Sequence, residues 1–515
     1  MERSLGSGDL RLLHLFSLRT GAKRDPGRKP ARMERSPAGQ KMASVYIETF
    51  GCQMNEADSR YVADRARSLG YAIATSAEAA DVVVLNTCTV RDNAERRAYG
   101  RMNHFNALKR RDSKVRLVVM GCLAEQDRDR MQRLAPHVDA VFGTRELRRL
   151  ADKLAEWEPD FARTPREGAD DDIRDNMLPF ALGGTADAVQ DAFSHLRAFV
   201  TVQRGCSYYC TFCIVPHVRG RFDHRPATAI IEEARERIDQ GAREVMLVGQ
   251  TVNAWQDAAS GADFGNLCST VGRLDGLERL TFISPHPKDF TEKIVGDLAG
   301  VAALNPRVHL PLQSASDAVL RRMNRKYTLA QFHEKVELIR RHLPHCAITT
   351  DLIVGFPGET ESDFRATLEY VRSGVFANAF TFIYSMRRGT PAARWEQVSR
   401  ADALERFERL IEAQNAVTRA YHDRKLGHVT RALIIGDSKK DPDKLSAKTT
   451  DNVTLVAAKP LGYSAEAYAQ TPWLDIEIEH AHVWGCSGRV VGRSERFNGP
   501  TVTAGRTIVN LMAAI

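Results

Sequence analysis

From Ser44 onward, short apolar runs alternate with amphipathic stretches of helical period, and this constrains the fold more than any other feature. Parallel strands need crossovers of a dozen or more residues, usually helices, so the pattern predicts parallel sheets covered by helices. Strands are expected at 45–48, 81–86, 115–120 and 138–142, with helices over 56–69 and about 91–110. A second series places strands at 198–203, 244–248, 280–283, 308–312, 347–354 and 379–384, with helices such as 227–240, 329–342 and 361–373 between them. Six strand–helix units in about 200 residues suit a partial (β/α)6 barrel better than an eight-fold one. After a last helix over 402–424, short runs at 428–435, 445–449, 453–456, 474–478 and 483–491 predict a small OB-like β-barrel. The fold class is therefore α/β multidomain: an N-terminal open parallel-sheet α/β domain, a central partial barrel and a small C-terminal β-barrel.

The boundaries follow from where the pattern lapses. Residues 1–43 show no periodicity and read as a disordered extension. A transit peptide is the alternative, opposed by Glu2, Asp9, Asp25 and Glu34, and Met42 is a candidate true start. The N-terminal domain spans 44–160. An acidic linker with Asp170, Asp171 and Asp172 spans 161–191, the core 192–423, the β-module 424–492 and a tail 493–515.

Charge says little by itself. The net charge is +8, but residues 1–43 hold ten Lys/Arg against four Asp/Glu, so most of the excess lies in the extension. Residues 424–515 carry twelve Lys/Arg and nine Asp/Glu, enough for phosphate contacts if they share a face. No apolar run approaches the roughly 18 residues of a membrane span, and the run 10–18 is broken by Arg11 and His14. A soluble chain in a reducing, cytoplasmic setting is expected, with no membrane partner. In that setting an odd set of nine cysteines points to metal or redox chemistry rather than a disulfide framework.

Six of the nine form two sets. Cys206, Cys210 and Cys213 stand as Cys-x3-Cys-x2-Cys just after the first core strand, in Gln203-Arg204-Gly205-Cys206-Ser207-Tyr208-Tyr209-Cys210-Thr211-Phe212-Cys213. Three thiolates in one loop can hold three irons of a [4Fe-4S] cluster and leave the fourth open for a substrate. Zinc is the alternative, with His217 or His224 completing the set. Cys52, Cys88 and Cys122 lie 36 and 34 residues apart, each after an expected strand. Loops at the carboxyl ends of parallel strands share one edge of the sheet, so these thiols should converge. Gly51 and Gly121 let the chain turn tightly before two of them. The bland reading is three unrelated buried cysteines. Cys268, Cys346 and Cys486 lack such partners and read as structural, and His286 and His309 as structural or pocket groups.

The Cys206–Cys213 spacing resembles the radical SAM superfamily, in which the open iron chelates S-adenosylmethionine (SAM) and one electron cleaves it to a 5′-deoxyadenosyl radical. Glu48-Thr49-Phe50-Gly51-Cys52-Gln53-Met54-Asn55, Asn86-Thr87-Cys88-Thr89-Val90-Arg91 and Gly121-Cys122-Leu123-Ala124-Glu125-Gln126 resemble the three N-terminal cysteine motifs of the methylthiotransferases. Further matches are Gly249-Gln250-Thr251-Val252-Asn253, Leu310-Pro311-Leu312-Gln313-Ser314 and the stretch from Asp351 to Thr360, and the likeness covers roughly 44–491. Three departures stand out: Ala315 where Gly is usual, Arg221-Phe222-Asp223-His224 in place of a more acidic stretch, and Arg388 where Pro usually precedes Gly-Thr-Pro.

Within that family the motifs Phe50-Gly51-Cys52-Gln53-Met54-Asn55 and Arg91-Asp92-Asn93-Ala94-Glu95 look most like the MiaB-type tRNA methylthiotransferases. The resemblance implies two [4Fe-4S] clusters, an auxiliary one on Cys52, Cys88 and Cys122 and a SAM-binding one on Cys206, Cys210 and Cys213. It implies a SAM pocket drawing on Gly249, Gln250, Gln313, Ser314, Gly355 and Glu359. The β-module resembles the family's RNA-binding TRAM domain. The implied reaction adds a methylthio group to C2 of N6-isopentenyladenosine at position 37 of tRNA, with one SAM as methyl donor and another as radical source. The implied partners are the tRNA anticodon arm and an electron donor such as flavodoxin or ferredoxin, with the chain a monomer. A ribosomal-protein methylthiotransferase, or an RNA-binding module with structural metals, are the alternatives.

Overall fold

The structure, a computed structural model, describes residues 43–89, 92–111, 114–157 and 193–493. The 161–191 linker, nearly all of the 1–43 extension and the tail from 494 lie outside the described residues.

In the N-terminal domain, β1 (Ser44–Thr49), β2 (Ala72–Ile73), β3 (Val82–Thr87), β4 (Arg116–Gly121) and β5 (Ala140–Phe142) form a parallel sheet in the order β2-β1-β3-β4-β5. Both faces are covered, which is why its strands read as unbroken apolar runs. Val45, Ile47, Val82, Val84, Val118 and Met120 pack under the helices Gln53–Ser68 and Leu147–Trp157. Tyr46, Val83, Leu85, Leu117 and Val119 pack on the other side against Met102 and Phe105 of the helix Asp92–Arg111. Each fully buried side chain of this size contributes about 1.5–3 kcal/mol. The chain leaves β1 toward β2 and returns to β3 on the other flank, so the connections diverge between β1 and β3. Ligand crevices of open α/β sheets form at such a switch point.

The core contains two parallel triplets. β6 (Arg197–Thr201), β9 (Glu244–Val248) and β10 (Arg279–Phe282) form one, and β11 (Arg307–His309), β12 (Ala347–Val354) and β13 (Asn378–Ile383) the other. They make the six parallel strands expected of a partial barrel, wrapped by helices including Ala227–Asp239, Leu329–His342 and Glu361–Arg372. The expected strand at 198–203 is divided. β6 ends at Thr201, and β7 (Gln203–Arg204) pairs antiparallel with β8 (Asp223–His224), pinching together the two ends of the cysteine-bearing loop.

After the helix Arg400–Asp423, the module closes as a five-stranded barrel of β14 (Val429–Asp437), β15 (Lys444–Thr449), β16 (Thr454–Ala458), β17 (Trp473–His482) and β18 (Gly485–Arg493), in the order β14-β15-β16-β18-β17. Two features were not expected from sequence. The short helix Ala465–Gln470 is capped by Ser464 and buries Tyr468 in the barrel. Phe193 and Leu196, just ahead of β6, also enter the module's apolar core.

The module docks on the amino-terminal ends of the core strands. Glu244, at the start of β9, is fully buried and accepts from Arg197 (2.8 Å), Arg279 (2.7 Å) and Thr281 (2.9 Å). Arg279 also donates to the Thr449 carbonyl at 3.1 Å and stacks on Trp473, whose indole donates to Glu278. The module therefore caps the end of the barrel opposite the cysteine loop. Among the described residues no helix is long and apolar enough to cross a membrane.

Candidate active site: two cysteine triads that share one segment

The first triad is assembled from three loops. Cys52 follows β1 and precedes the helix Gln53–Ser68, Cys88 follows β3, and Cys122 opens the helix Cys122–Gln126 after β4. These strands are neighbours, so the loops meet at the switch point. Gly51 has φ 134°, and a Cβ there would lie 2.7 Å from the Cβ of Cys88, so only glycine lets the two loops approach. Gly121, at φ 103°, is constrained likewise by the Thr87 carbonyl. Asn55, wholly buried, binds the loops together: its amide donates to Asn86 Oδ1 (3.0 Å) and to the Thr87 carbonyl (2.9 Å), while Asn86 donates to the Asn55 carbonyl (2.7 Å).

The core completes this site. Arg219, buried at the end of the helix Val215–Arg219, donates to Asp58 Oδ2 (2.9 Å) and Asn55 Oδ1 (3.2 Å). Arg204 pairs with the other oxygen of Asp58 at 3.1 Å. Burial opposes the Arg219 charge, but the Cys122 thiol and the Asp58 carboxylate outweigh it and hold its pKa above the ordinary value. Burial pushes the Cys122 thiol up to about 12; Arg219 opposes this, while Cys88 and Cys52 add to it. Cys122 thus lies within electrostatic reach of Cys88, Cys52 and Arg219. Cys52 and Met54 pack on Met246, Val248 and Phe199 of the core.

The second triad sits on one loop. Cys206 donates its backbone N–H to the Gly220 carbonyl (2.9 Å), and Cys213 N donates to the Cys210 carbonyl (3.0 Å). The loop is anchored across the barrel mouth where Thr211 N donates to the Met323 carbonyl (3.1 Å). A buried cation stands here too: Arg325 donates to Cys210 Sγ (3.4 Å), Tyr327 Oη (2.9 Å) and the Pro311 carbonyl (3.1 Å). Burial pushes the Cys213 thiol up to about 12. His286 packs 4.5 Å from the Tyr208 ring; burial, then Arg325 and Lys288, push its pKa down to about 2. His309 lies apart from it, 3.2 Å from Asp351.

The triads are joined by one segment. Ile214 and Val218, between Cys213 and Arg219, pack directly on Cys122. Among the described residues no three His, Cys, Asp or Glu side chains converge on a single-metal site. In an iron–sulfur cluster each thiolate binds its own iron, so cluster ligands stand further apart than ligands of one ion. A buried guanidinium beside Cys122 and Cys52 suits such a group, whose thiolate ligands carry negative charge. His217 is exposed, and His224 Nδ1 accepts from Gln256 N (3.1 Å).

The six expected SAM-pocket residues divide. Gln250 Oε1 accepts from Gly205 N (2.5 Å) at the base of the cysteine loop, after Gly249. Gln313 holds a left-handed backbone at φ 74° in the segment after β11, bridged to Leu352, conformational strain of the sort found at binding sites. Ser314 is turned inward to Thr367 (3.3 Å). Glu359 accepts from Gly355 N (2.7 Å) and Arg406 (2.9 Å), and burial pushes it up to about 6 against both partners. Arg219, Asp58, Arg204 and Arg325 were missed from sequence, because nothing local marks a polar residue that will become buried.

Fold and site together define a radical SAM protein with an added cysteine triad on an N-terminal α/β domain. Residues 200–371 match the model of the Radical SAM superfamily, and residues 44–143 that of the Uncharacterized protein family UPF0004. The radical SAM methyltransferase TsrM of Kitasatospora setae shares the fold, with a TM-score of 0.50 and 15% identity over 68% of this chain and 75% of that one. Two relatives are named tRNA-2-methylthio-N(6)-dimethylallyladenosine synthase. That of Syntrophotalea carbinolica is 38% identical over 80% of this chain and 92% of its own, and that of Moorella thermoacetica 39% over 86% and 98%. The chain belongs to this family of synthases.

Proposed function

We propose that this chain is a radical SAM methylthiotransferase that places a methylthio group on C2 of N6-dimethylallyladenosine at position 37 of tRNA. The observation that carries the reading is the joining of two cysteine triads through the segment from Cys213 to Arg219. When bound, a cluster on Cys206, Cys210 and Cys213 would supply an electron to cleave one SAM, and a cluster on Cys52, Cys88 and Cys122 would present the sulfur that a second SAM methylates.

The chain's residues position and enclose that chemistry. An aromatic C–H offers no acidic proton to a general base, so a radical route suits it, and a radical route needs the target close to both centres and shielded from water. Ile214 and Val218 keep the triads adjacent, while Met54, Met246 and Val248 form an apolar wall beside Cys52. Gln250 and Gln313 stand at the barrel mouth, where SAM would bind. The adenine enters as a nucleotide splayed from its loop.

The β-module holds the RNA at a distance. It caps the far end of the core strands, and five residues of strand span about 17 Å, so RNA bound there must run along the barrel flank to reach the mouth. The partners are the anticodon arm and a small electron-transfer protein, in the cytoplasm, with the chain a monomer. The test is expression in a host lacking its own enzyme, read by nucleoside mass spectrometry. Appearance of 2-methylthio-N6-dimethylallyladenosine is the expected result; methylthiolation of threonylcarbamoyladenosine or a ribosomal protein instead overturns the substrate assignment.

A further inference from the structure

A cavity of about 540 Å³ opens where the N-terminal domain meets the core segment 386–394. Its walls reach both triads. Thr89 is the neighbour of Cys88, and Gln126 ends the helix that Cys122 begins. On the core side, Ala392 N donates to the Thr211 carbonyl (3.0 Å) inside the cysteine loop.

The lining is unusually basic. Arg130, Arg387, Arg388 and Arg394 face two carboxylates, Glu95 and Asp127, an excess of two positive charges. Arg388 pairs with Asp127, yet its side chain is 74% exposed while that of Asp127 is 5% exposed. Arg130 approaches the same carboxylate at 3.6 Å, and Gln126 donates to the Arg388 carbonyl at 3.2 Å. Asp127 therefore holds two guanidiniums at the rim of the cavity. A guanidinium has five N–H donors and the Arg388 side chain is largely exposed, so Arg388 can take on a second anion while it keeps Asp127. Planar forked donors match phosphate oxygens two at a time.

We propose that this cavity is a phosphodiester cradle, in which Arg388 and Arg394, supported by Arg387, hold the RNA backbone next to the nucleotide that enters between the triads. This rests on the tRNA reading above and names the part of that site which grips the substrate. Bulk charge does not reveal the cradle, because its cations are set against neighbouring acids. Asp127 acts as a positioning residue that orients Arg388 before RNA arrives.

The experiment measures binding of an RNA hairpin with N6-dimethylallyladenosine in its loop to the reconstituted full-length protein across a series of salt concentrations. Each lost phosphate contact lowers the slope of log K against log salt by about 1, so the Arg388→Gln/Arg394→Gln double variant should lose about 2. Arg372→Gln, at the end of the helix Glu361–Arg372 and outside the cavity lining, should leave the slope unchanged. Neutral methylphosphonates at the phosphates flanking the target should weaken binding to the unaltered protein by tenfold or so and cause no further loss in the double variant. Asp127→Asn should keep the slope and lose orientation, read as a slower association rate. If the protein binds the hairpin but the double variant keeps its full slope, or methylphosphonates weaken both proteins equally, the cradle is wrong and the tRNA reading stands. If the unaltered protein does not bind the hairpin at all, both fall.

Discussion

The two triads reach similar ends by opposite routes. Cys206, Cys210 and Cys213 are held by one loop, with its ends pinched by β7 and β8. Cys52, Cys88 and Cys122 come from three loops that only the sheet brings together, and their buried cation comes from another domain. The first arrangement needs a local fold. The second needs a complete N-terminal sheet and a docked core. A site made from distant segments inherits the stability of everything that places it, so the auxiliary triad should be the more fragile of the two.

The largest test of that contrast removes either triad. A reconstituted chain should hold about eight irons and lose about half when either set of three is replaced by Ala, with product formation abolished in both cases. SAM cleavage should survive loss of the first triad and vanish with the second; a Cys88→Ala variant that still makes product at the normal rate would refute the division.

Next in size is Arg219→Met. It leaves Asp58 with Arg204 alone and removes the buried cation beside Cys122, and breaking a buried pair costs about 3–5 kcal/mol. Iron counting should show loss from the first triad alone, with Arg219→Lys restoring part. The equivalent change at the second triad should act differently. Arg325→Gln removes a charged donor to Cys210, and such donors favour the reduced, more negative cluster. Iron should stay bound while a redox titration shows a lower potential and SAM cleavage slows about tenfold. Equal iron loss in both variants would erase the proposed difference.

The module's interface gives a smaller effect, and one away from both triads. Burial raises the Glu244 pKa, but Arg279 and Arg197 prevail and bring it down to about 2. A depressed carboxyl stabilises the fold above its unfolded pKa near 4.5, and that contribution is lost as the pH falls toward 2. The module should loosen in that window, seen as a fluorescence change of the buried Trp473, with both iron sites intact at pH 5. At the same interface burial, then Arg197, Arg307 and Arg279, push Lys448 down to about 8. Below that pH it is a partly buried cation held by Thr454 Oγ1 (2.8 Å), so Lys448→Met should stabilise the protein by about 1 kcal/mol at neutral pH. Smallest of all, Cys268→Ala, in the core cluster, should cost stability on the order of 1 kcal/mol and leave the iron content unchanged.

The same contrast explains what could be read in advance. Strands buried on both faces write themselves as apolar runs, so four of the five N-terminal strands, the six core strands and the five module strands were legible, while the two-residue edge strand β2 was too short to show. The helix at 465–470 was not: AEAYAQ is too short to show a period, and its placement rests on Tyr468 finding the barrel. The split of the first core strand was hidden because Gln203 and Arg204 look like its continuation. Arg219 and Arg325 were illegible for another reason. Each is an ordinary arginine whose meaning comes from partners more than 100 residues away, Asp58 in one case and Cys210 in the other. The module's seat at the amino-terminal ends of the strands was equally hidden, since Arg197, Glu244 and Arg279 become a network only once the strands lie side by side.

The origin of Arg219 also sets an order of events during synthesis. Domains emerge from the ribosome and fold from the amino terminus. The last strand of the N-terminal sheet ends at Phe142, 77 residues before Arg219, and at about 5–20 residues per second that leaves an interval of several seconds. During it Asp58 lacks the arginine it will bury, and the three thiols face solvent with no neighbouring core to cover them. On the two-cluster reading, the first triad gains its buried cation only after the segment that follows Cys213 has been translated.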